Sequence, residues 1–109
     1  MRYTKLYIAV LDEVPAFMVP TLVAHSVLSA DRLFSGKSEI YDDWRENSFR
    51  KCVVKVNARQ FEKIGQLHKM LHFGHENSTC EGRPTCIVVE PVYNDDVPNV
   101  LKFANLWKP

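Results

Sequence analysis

Residues 5–11 constrain the fold of this chain most strongly, because they form a nearly unbroken apolar run that ends at Asp12 and Glu13. A run of this length predicts a strand that is covered on both faces. Residues 18–34 follow with apolar side chains at helical spacing, and Pro20 lies early in that helix, where a missing N–H is tolerated. A buried strand that leads into a helix is typical of a βαβ unit, so the sequence predicts an α/β domain.

The rest of the chain continues this alternation, and we predict one domain over residues 1–109. The polar stretch 35–50 is long for a connection, and we expect it to fold over the edge of the domain with its aromatic side chains packed onto it. The element order is β-α-β-α-β-β-α, which predicts a mixed four-stranded sheet with helices packed on it and a hairpin between the last two strands. We expect the later strands near 52–56, 75–79 and 85–90, and the later helices near 58–72 and 96–105.

Composition excludes several broad classes of function. The net charge of +1 over 109 residues provides no global field that would attract nucleic acid or an anionic membrane surface. No apolar run approaches the ~20 residues that a membrane-spanning helix needs. The chain has three cysteines without paired spacing, which argues against a disulfide framework and leaves Cys80, in a polar loop, as a candidate free thiol. The N-terminus lacks a signal-peptide pattern, so we predict a cytoplasmic protein.

The stretch Tyr7-Ile-Ala-Val-Leu-Asp-Glu-Val-Pro15, with Val23-Ala-His-Ser-Val27 after it, resembles the start of the peptidyl-tRNA hydrolases of the archaeal and eukaryotic type. It looks closer still to a little-characterised bacterial family thought to share that fold. The element order also agrees, and the resemblance covers most of the chain apart from residues 35–50. The resemblance implies the hydrolase-like fold and a homodimer.

The chain departs from the hydrolase pattern at two positions that matter for catalysis. When the histidine of the first motif is laid on His25, the second lysine of that motif falls on Met18. In the later motif, Asp-Ala-Gly-Arg-Thr, Gly82 and Arg83 match, but Cys80 stands at the position of the aspartate. The lysine that would stabilise developing charge and the acid that would orient water are therefore both absent. The resemblance thus implies the fold, and it argues against the hydrolytic reaction.

We place a candidate ligand site at the carboxyl end of the first strand, where open α/β sheets bind ligands. The helix that begins near Met18 would direct unpaired backbone amides into this crevice, and helix starts of this kind attract anions. The turn that carries Arg83 would approach the same place if the family geometry holds. We expect a small, mostly apolar pocket that suits a small organic anion or a partner's side chain. The candidate ligand-binding residues are Asp12, Glu13, Phe17, Met18, His25, Cys80 and Arg83.

Two other patterns have ordinary structural interpretations. His68, His72 and His75 with Cys80 offer ligands of the type that zinc prefers, but they lack the second close pair that makes a structural zinc motif specific. The basic residues at 51, 55, 59, 63 and 69 could form a phosphate-binding face, although the near-neutral total charge favours an ordinary solvated surface. We therefore predict neither a metal nor a cofactor.

The sequence favours a catalytically divergent binding or regulatory protein that takes a small anion or a protein partner. The alternative is a hydrolase that acts on peptidyl-tRNA or a related ester with a relocated catalytic set. Its acids and bases would come from Asp12, Glu13, His25 and Glu81. tRNA is possible as a partner but not favoured, and we expect no membrane partner.

We also expect a homodimer, because the chain has more large apolar residues than one small core needs. Those residues are Phe17, Met18, Trp44, Phe73 and Trp107.

Overall fold

A mixed sheet of five strands forms the centre of the molecule. The structure is a computed structural model, and it describes residues 1–75 and 82–109. Within those residues the strands are β1 (Thr4–Leu11), β2 (Arg50–Val56), β3 (Leu71–His75), β4 (Pro84–Tyr93) and β5 (Asn105–Leu106). The helices are α1 (Val19–Phe34), α2 (Glu39–Glu46), α3 (Ala58–Gly65) and α4 (Asn99–Lys102), and a 3₁₀ turn at Ala16–Met18 precedes α1.

β1 is the middle strand, in the order β3-β4-β1-β2-β5. β1 and β2 are parallel, whereas β4 runs antiparallel to both β1 and β3. The predicted α/β class and the mixed sheet are confirmed. The predicted count of four strands and the predicted element order are wrong, because β5 extends the sheet beyond β2 and α2 adds a helix between α1 and β2.

Two apolar clusters cover the opposite faces of the sheet. On one face, α1 and α2 pack over Ile8 of β1 and Val88 of β4. On the other face, α3 and α4 pack over Ala9, Ile87 and Val54. Because successive residues of a strand point to opposite faces, a strand between two helical layers must be apolar at nearly every position. This requirement explains the continuous apolar runs of β1 and β4.

The segment between α1 and β2 contains the helix α2, which contacts the strands β4 and β1. Ser38 caps the start of α2 by accepting a hydrogen bond from the amide of Tyr41, and its hydroxyl donates to the carboxylate of Glu90 in β4. Trp44 is buried, and its indole N–H donates to the carbonyl of Arg50 at 2.7 Å. The buried Trp44 and the hydrogen bonds of Ser38 therefore hold this segment on the sheet.

The predicted helix at 58–72 is too long, since α3 ends at Gly65 and residues 71–75 form β3. The amide of Glu90 in β4 donates to the carbonyl of Met70, and Leu71 pairs with Val89. The backbone of buried β4 needs hydrogen-bond partners on both sides, and this need outweighs the helical spacing of residues 66–72. β3 begins at Leu71, before the predicted strand at 75–79, and residues 76–79 of that prediction lie outside the described residues.

The predicted helix at 96–105 is also shorter than expected, because α4 covers Asn99–Lys102 alone. The chain then turns so that Asn105 and Leu106 pair with β2, and the amide of Trp107 donates to the carbonyl of Val53. This short strand pairs with part of the outer edge of β2. None of the described helices is long and apolar enough to cross a membrane.

Candidate functional site

A cavity of about 330 Å³ opens at the carboxyl end of β1. β1 and β2 are parallel and end at the same edge of the sheet, and antiparallel β4 begins there. We call this space the carboxyl-edge cavity. Its lining residues are Leu11, Glu13, Ala58, Phe61, Phe73, Arg83 and Pro84.

The aromatic walls of this cavity come from α3 and β3. The start of α3 is fixed by a capping box, in which Asn57 accepts from the amide of Gln60 at 2.8 Å and the Gln60 side chain accepts from the amide of Asn57 at 2.9 Å. This start places Ala58 and Phe61 beside the end of β1. Phe73 packs closely over Gly65, where an added Cβ would lie 3.6 Å from its ring.

The polar part of the carboxyl-edge cavity is an ion pair between Arg83 and Glu13. The guanidinium Nη2 lies 3.2 Å from the carboxylate Oε2, and both side chains are about half exposed, at 57% and 49%. A half-exposed pair of this kind contributes little to stability, and either group can turn towards a ligand. The two side chains that the sequence placed together at this edge are therefore in contact.

Of the other predicted site residues, the four that the structure describes do not line this cavity. Asp12 is exposed, and its amide donates to the carbonyl of Val56 at 2.8 Å. Phe17 is exposed, and Met18 packs against the cluster under α1. His25 lies on the exposed side of α1. Cys80, the remaining candidate, lies outside the described residues.

The start of α1 uses its own amides, so it differs from the anion site that we expected there. The amide of Met18 donates to the carbonyl of Pro15 at 3.0 Å, and that of Val19 donates to the carbonyl of Ala16. Pro20 has no amide hydrogen to offer. The 3₁₀ turn therefore takes up donors that would otherwise point at a ligand.

Among the described residues, no group of three or more His, Cys, Asp or Glu side chains could hold a metal ion, and Cys80 of the histidine and cysteine set lies outside those residues. Burial lowers the pKa of His72 from its ordinary value, and the nearby His25 and His75 lower it further. His72 therefore favours its neutral form more strongly in the folded protein than in the unfolded chain.

The basic residues at 51 and 55 lie beside aromatic rings. The Lys51 ammonium is 3.4 Å from the ring centroid of Phe49, and the Lys55 ammonium is 5.6 Å from that of Trp107. Both are cation–π arrangements that use these charges within the fold. This geometry agrees with the ordinary interpretation of the basic set as surface structure.

Sequence reasoning missed most of the apolar lining of the carboxyl-edge cavity. Phe61 falls within the predicted helix at 58–72, and Phe73 lies just after it and entered the predictions only as one of the apolar residues that favour a dimer. The end of α3 at Gly65 brings Phe73 onto β3 and beside the cavity.

The chain matches no protein-family model and no curated protein.

Proposed function

We propose that this protein is a catalytically divergent binding protein with a fold like that of the peptidyl-tRNA hydrolases, and that it binds a small organic anion in the carboxyl-edge cavity. The observation that carries the proposal is an apolar cavity of about 330 Å³ with an arginine at its rim. Ligand sites of this type are mostly apolar and hold a few polar groups that fix orientation. A ligand with an apolar body and one carboxylate matches these walls.

The Arg83–Glu13 pair defines how the anion would bind. A ligand carboxylate would take the place of Glu13 on the guanidinium, and Glu13, which is half exposed, would turn to solvent. Arginine suits this exchange because its planar fork binds carboxylates with two parallel hydrogen bonds. Removing the competing charge at Glu13 should therefore strengthen anion binding, and removing the guanidinium should weaken it.

The alternative, a hydrolase with a relocated catalytic set, has less support from the geometry. A general base must lie within hydrogen-bond reach of the proton that it removes, with a stabiliser for the developing charge nearby. Among the described candidates, Asp12 and His25 do not line the cavity, and Glu13 is paired with Arg83. Glu81 lies outside the described residues.

We also propose that the protein forms a homodimer in the cytoplasm. The resemblance and the exposed apolar side chains support self-association, and the free Cys52 and Cys86 suit a reducing compartment. Trp44 contributes nothing to an exposed apolar surface, because it is buried in the core. Phe17, Leu28 and Phe49 are exposed and supply apolar area on the side of α1 and its neighbouring segment. Light scattering tests this proposal, since a monomer mass at high concentration would contradict it.

Calorimetric titration with phenylacetate tests the binding proposal, because this probe combines a flat apolar body with one carboxylate. We expect saturable binding to the wild type, about tenfold weaker binding to Arg83→Ala, and tighter binding to Glu13→Gln. Arg32→Ala removes an exposed arginine from α1 and serves as the matched control, with unchanged binding. Equal affinity in Arg83→Ala and the wild type would overturn the placement.

A parallel assay with peptidyl-tRNA separates binding from catalysis. We expect no turnover above the background rate by the wild type. Turnover that is lost in a variant of Asp12, Glu13 or His25 would instead establish the hydrolase alternative.

A further inference from the structure

A second cavity, of about 320 Å³, lies at the opposite edge of the sheet, where β1 begins. We call it the amino-edge cavity. Unlike the carboxyl-edge cavity, its walls are rich in guanidinium, phenol and amide groups. These groups belong to the lining residues Arg2, Tyr3, Asn47, Arg50 and Tyr93.

Two arginine–tyrosine stacks form this cavity. The guanidinium carbon of Arg2 lies 3.8 Å from the ring centroid of Tyr93, and that of Arg50 lies 3.9 Å from the ring centroid of Tyr3. Stacking on a ring orients the guanidinium plane while leaving its in-plane N–H groups available. A side chain ordered before binding loses less entropy when a ligand arrives.

The backbone beneath the stacks is held firmly in place. The amide of Tyr3 donates to the Asn94 side chain at 2.8 Å, and the amide of Asn94 donates back to the carbonyl of Tyr3 at 2.8 Å. On the other side, the hydroxyl of Ser48 donates to the carbonyl of Thr4. These contacts fix β1 against both the segment after α2 and the turn after β4. Arg2, just before β1, and Arg50, at the start of β2, therefore project from anchored backbone.

Among the charged groups around the amino-edge cavity, one guanidinium has no acidic partner in the described residues. The charged side chains in the lining are two guanidinium groups and the carboxylate of Asp43. The Asn47 amide donates to the Asp43 carboxylate at 2.8 Å, and Arg2 donates to Asp95 at 3.0 Å. For Arg50, in contrast, no acidic partner is found within the described parts of the chain. Arg50 is therefore the group best placed to bind an anion.

We propose that the amino-edge cavity binds a small phosphate monoester of mononucleotide size, with Arg50 as the main contact and Arg2 as the second. Phosphate matches the arginine fork, which binds it with two hydrogen bonds. The cavity volume lies at the small end of the usual range for ligand pockets and limits the ligand to a compact one. This proposal is independent of the carboxyl-edge cavity.

The test is titration of adenosine 5′-monophosphate, ribose 5-phosphate and adenosine into the protein at low salt, followed by calorimetry. We expect both phosphate esters to bind the wild type and adenosine not to bind. Arg50→Gln should weaken phosphate binding about tenfold or more. Arg50→Lys should weaken it by a similar factor, because lysine keeps the charge but lacks the planar fork.

Two controls separate a specific phosphate site from a general effect of charge or of unfolding. Arg32→Gln makes the same charge change on α1 and should leave binding within about twofold, and thermal unfolding of each variant shows that it is folded. Equal losses in Arg32→Gln and Arg50→Gln, or adenosine binding as well as its phosphate ester, would overturn the proposal. Binding of a 5′-phosphorylated oligonucleotide without binding of the mononucleotide would also overturn it, because the ligand would then be nucleic acid.

Discussion

The two edges of the sheet carry cavities of nearly equal volume and different linings. The carboxyl-edge cavity, at about 330 Å³, is walled by apolar groups and the Arg83–Glu13 pair. The amino-edge cavity, at about 320 Å³, is walled by two arginine–tyrosine stacks. Volume alone therefore says little about a ligand in this fold. The walls predict an apolar carboxylate at one edge and a phosphate monoester at the other.

The largest expected effect follows from removal of Trp44, which supports the amino edge. Trp44→Ala deletes a buried ring and its hydrogen bond to Arg50, and we expect the free energy of unfolding to fall by about 3–5 kcal/mol. Urea denaturation measures this loss. Trp44→Phe, which keeps an aromatic ring, should cost less.

The Trp44 variants also show whether ligand binding at one cavity depends on the structure around the other. If Trp44→Ala stays folded, phosphate binding should be lost while phenylacetate binding survives, because α3 and β3 do not depend on the segment after α2. Equal loss of both ligands in folded protein would show that the two edges are coupled.

The next largest effect is expected where β3 packs against α1. A Cβ at Gly74 would lie 2.0 Å from Oγ and 2.9 Å from Cβ of Ser26, so Gly74→Ala forces these elements apart. We expect a loss of about 1–3 kcal/mol in the free energy of unfolding. The double variant with Ser26→Ala should recover part of it, because the nearest clashing atom is gone. A double variant as unstable as the sum of the two single variants would contradict this origin of the loss.

The stability of the α1–β3 contact should also depend on pH. The pKa of His72 is lowered in the folded protein, so the unfolded chain binds the proton more tightly. Stability is then complete above the ordinary histidine value of about 6.5, and it declines as the pH falls through that value towards the lower folded-state pKa. The urea concentration at the unfolding midpoint should fall as the pH is lowered from about 7.5 to about 5. His72→Gln should make this dependence of the midpoint on pH weaker. An unchanged slope in His72→Gln would assign the effect to other groups.

The smallest expected effect on stability is at the rim of the carboxyl-edge cavity. The Arg83–Glu13 pair is half exposed, and Arg83→Ala should change the free energy of unfolding by about 0–1 kcal/mol. Its effect on phenylacetate affinity should be much larger than its effect on stability. A variant that loses stability and affinity together would show that Arg83 supports the fold rather than the ligand.

Some of this architecture was predictable because local pattern and tertiary structure agree. β1 is buried on both faces, so its apolar run predicted a central strand. The helix α1 kept its predicted bounds almost unchanged, since its apolar spacing coincides with the face that packs on the sheet. Arg83 was expected near the end of β1 because the family resemblance implies that geometry, and its ion pair with Glu13 lies there.

Other parts depend on long-range pairing that periodicity does not record. Residues 66–72 have helical spacing, yet Met70 and Leu71 pair with β4 because its buried backbone requires hydrogen-bond partners. The position of Phe73 beside the cavity was therefore not predicted from the sequence. The amino-edge stacks were missed for a similar reason, because Arg2 and Tyr93 come from opposite ends of the chain and share no local pattern.

We propose above that the carboxyl-edge cavity binds an apolar carboxylate. The most direct test is a titration of ¹⁵N-labelled protein with phenylacetate, followed through backbone amide shifts. We expect saturable changes in the chemical shifts of the backbone amides of Glu13, Ala58 and Phe73. The amide shifts of Tyr3 and Arg50 should stay unchanged. Saturable shifts confined to the amino edge, or no saturable shift at the carboxyl edge, would contradict it.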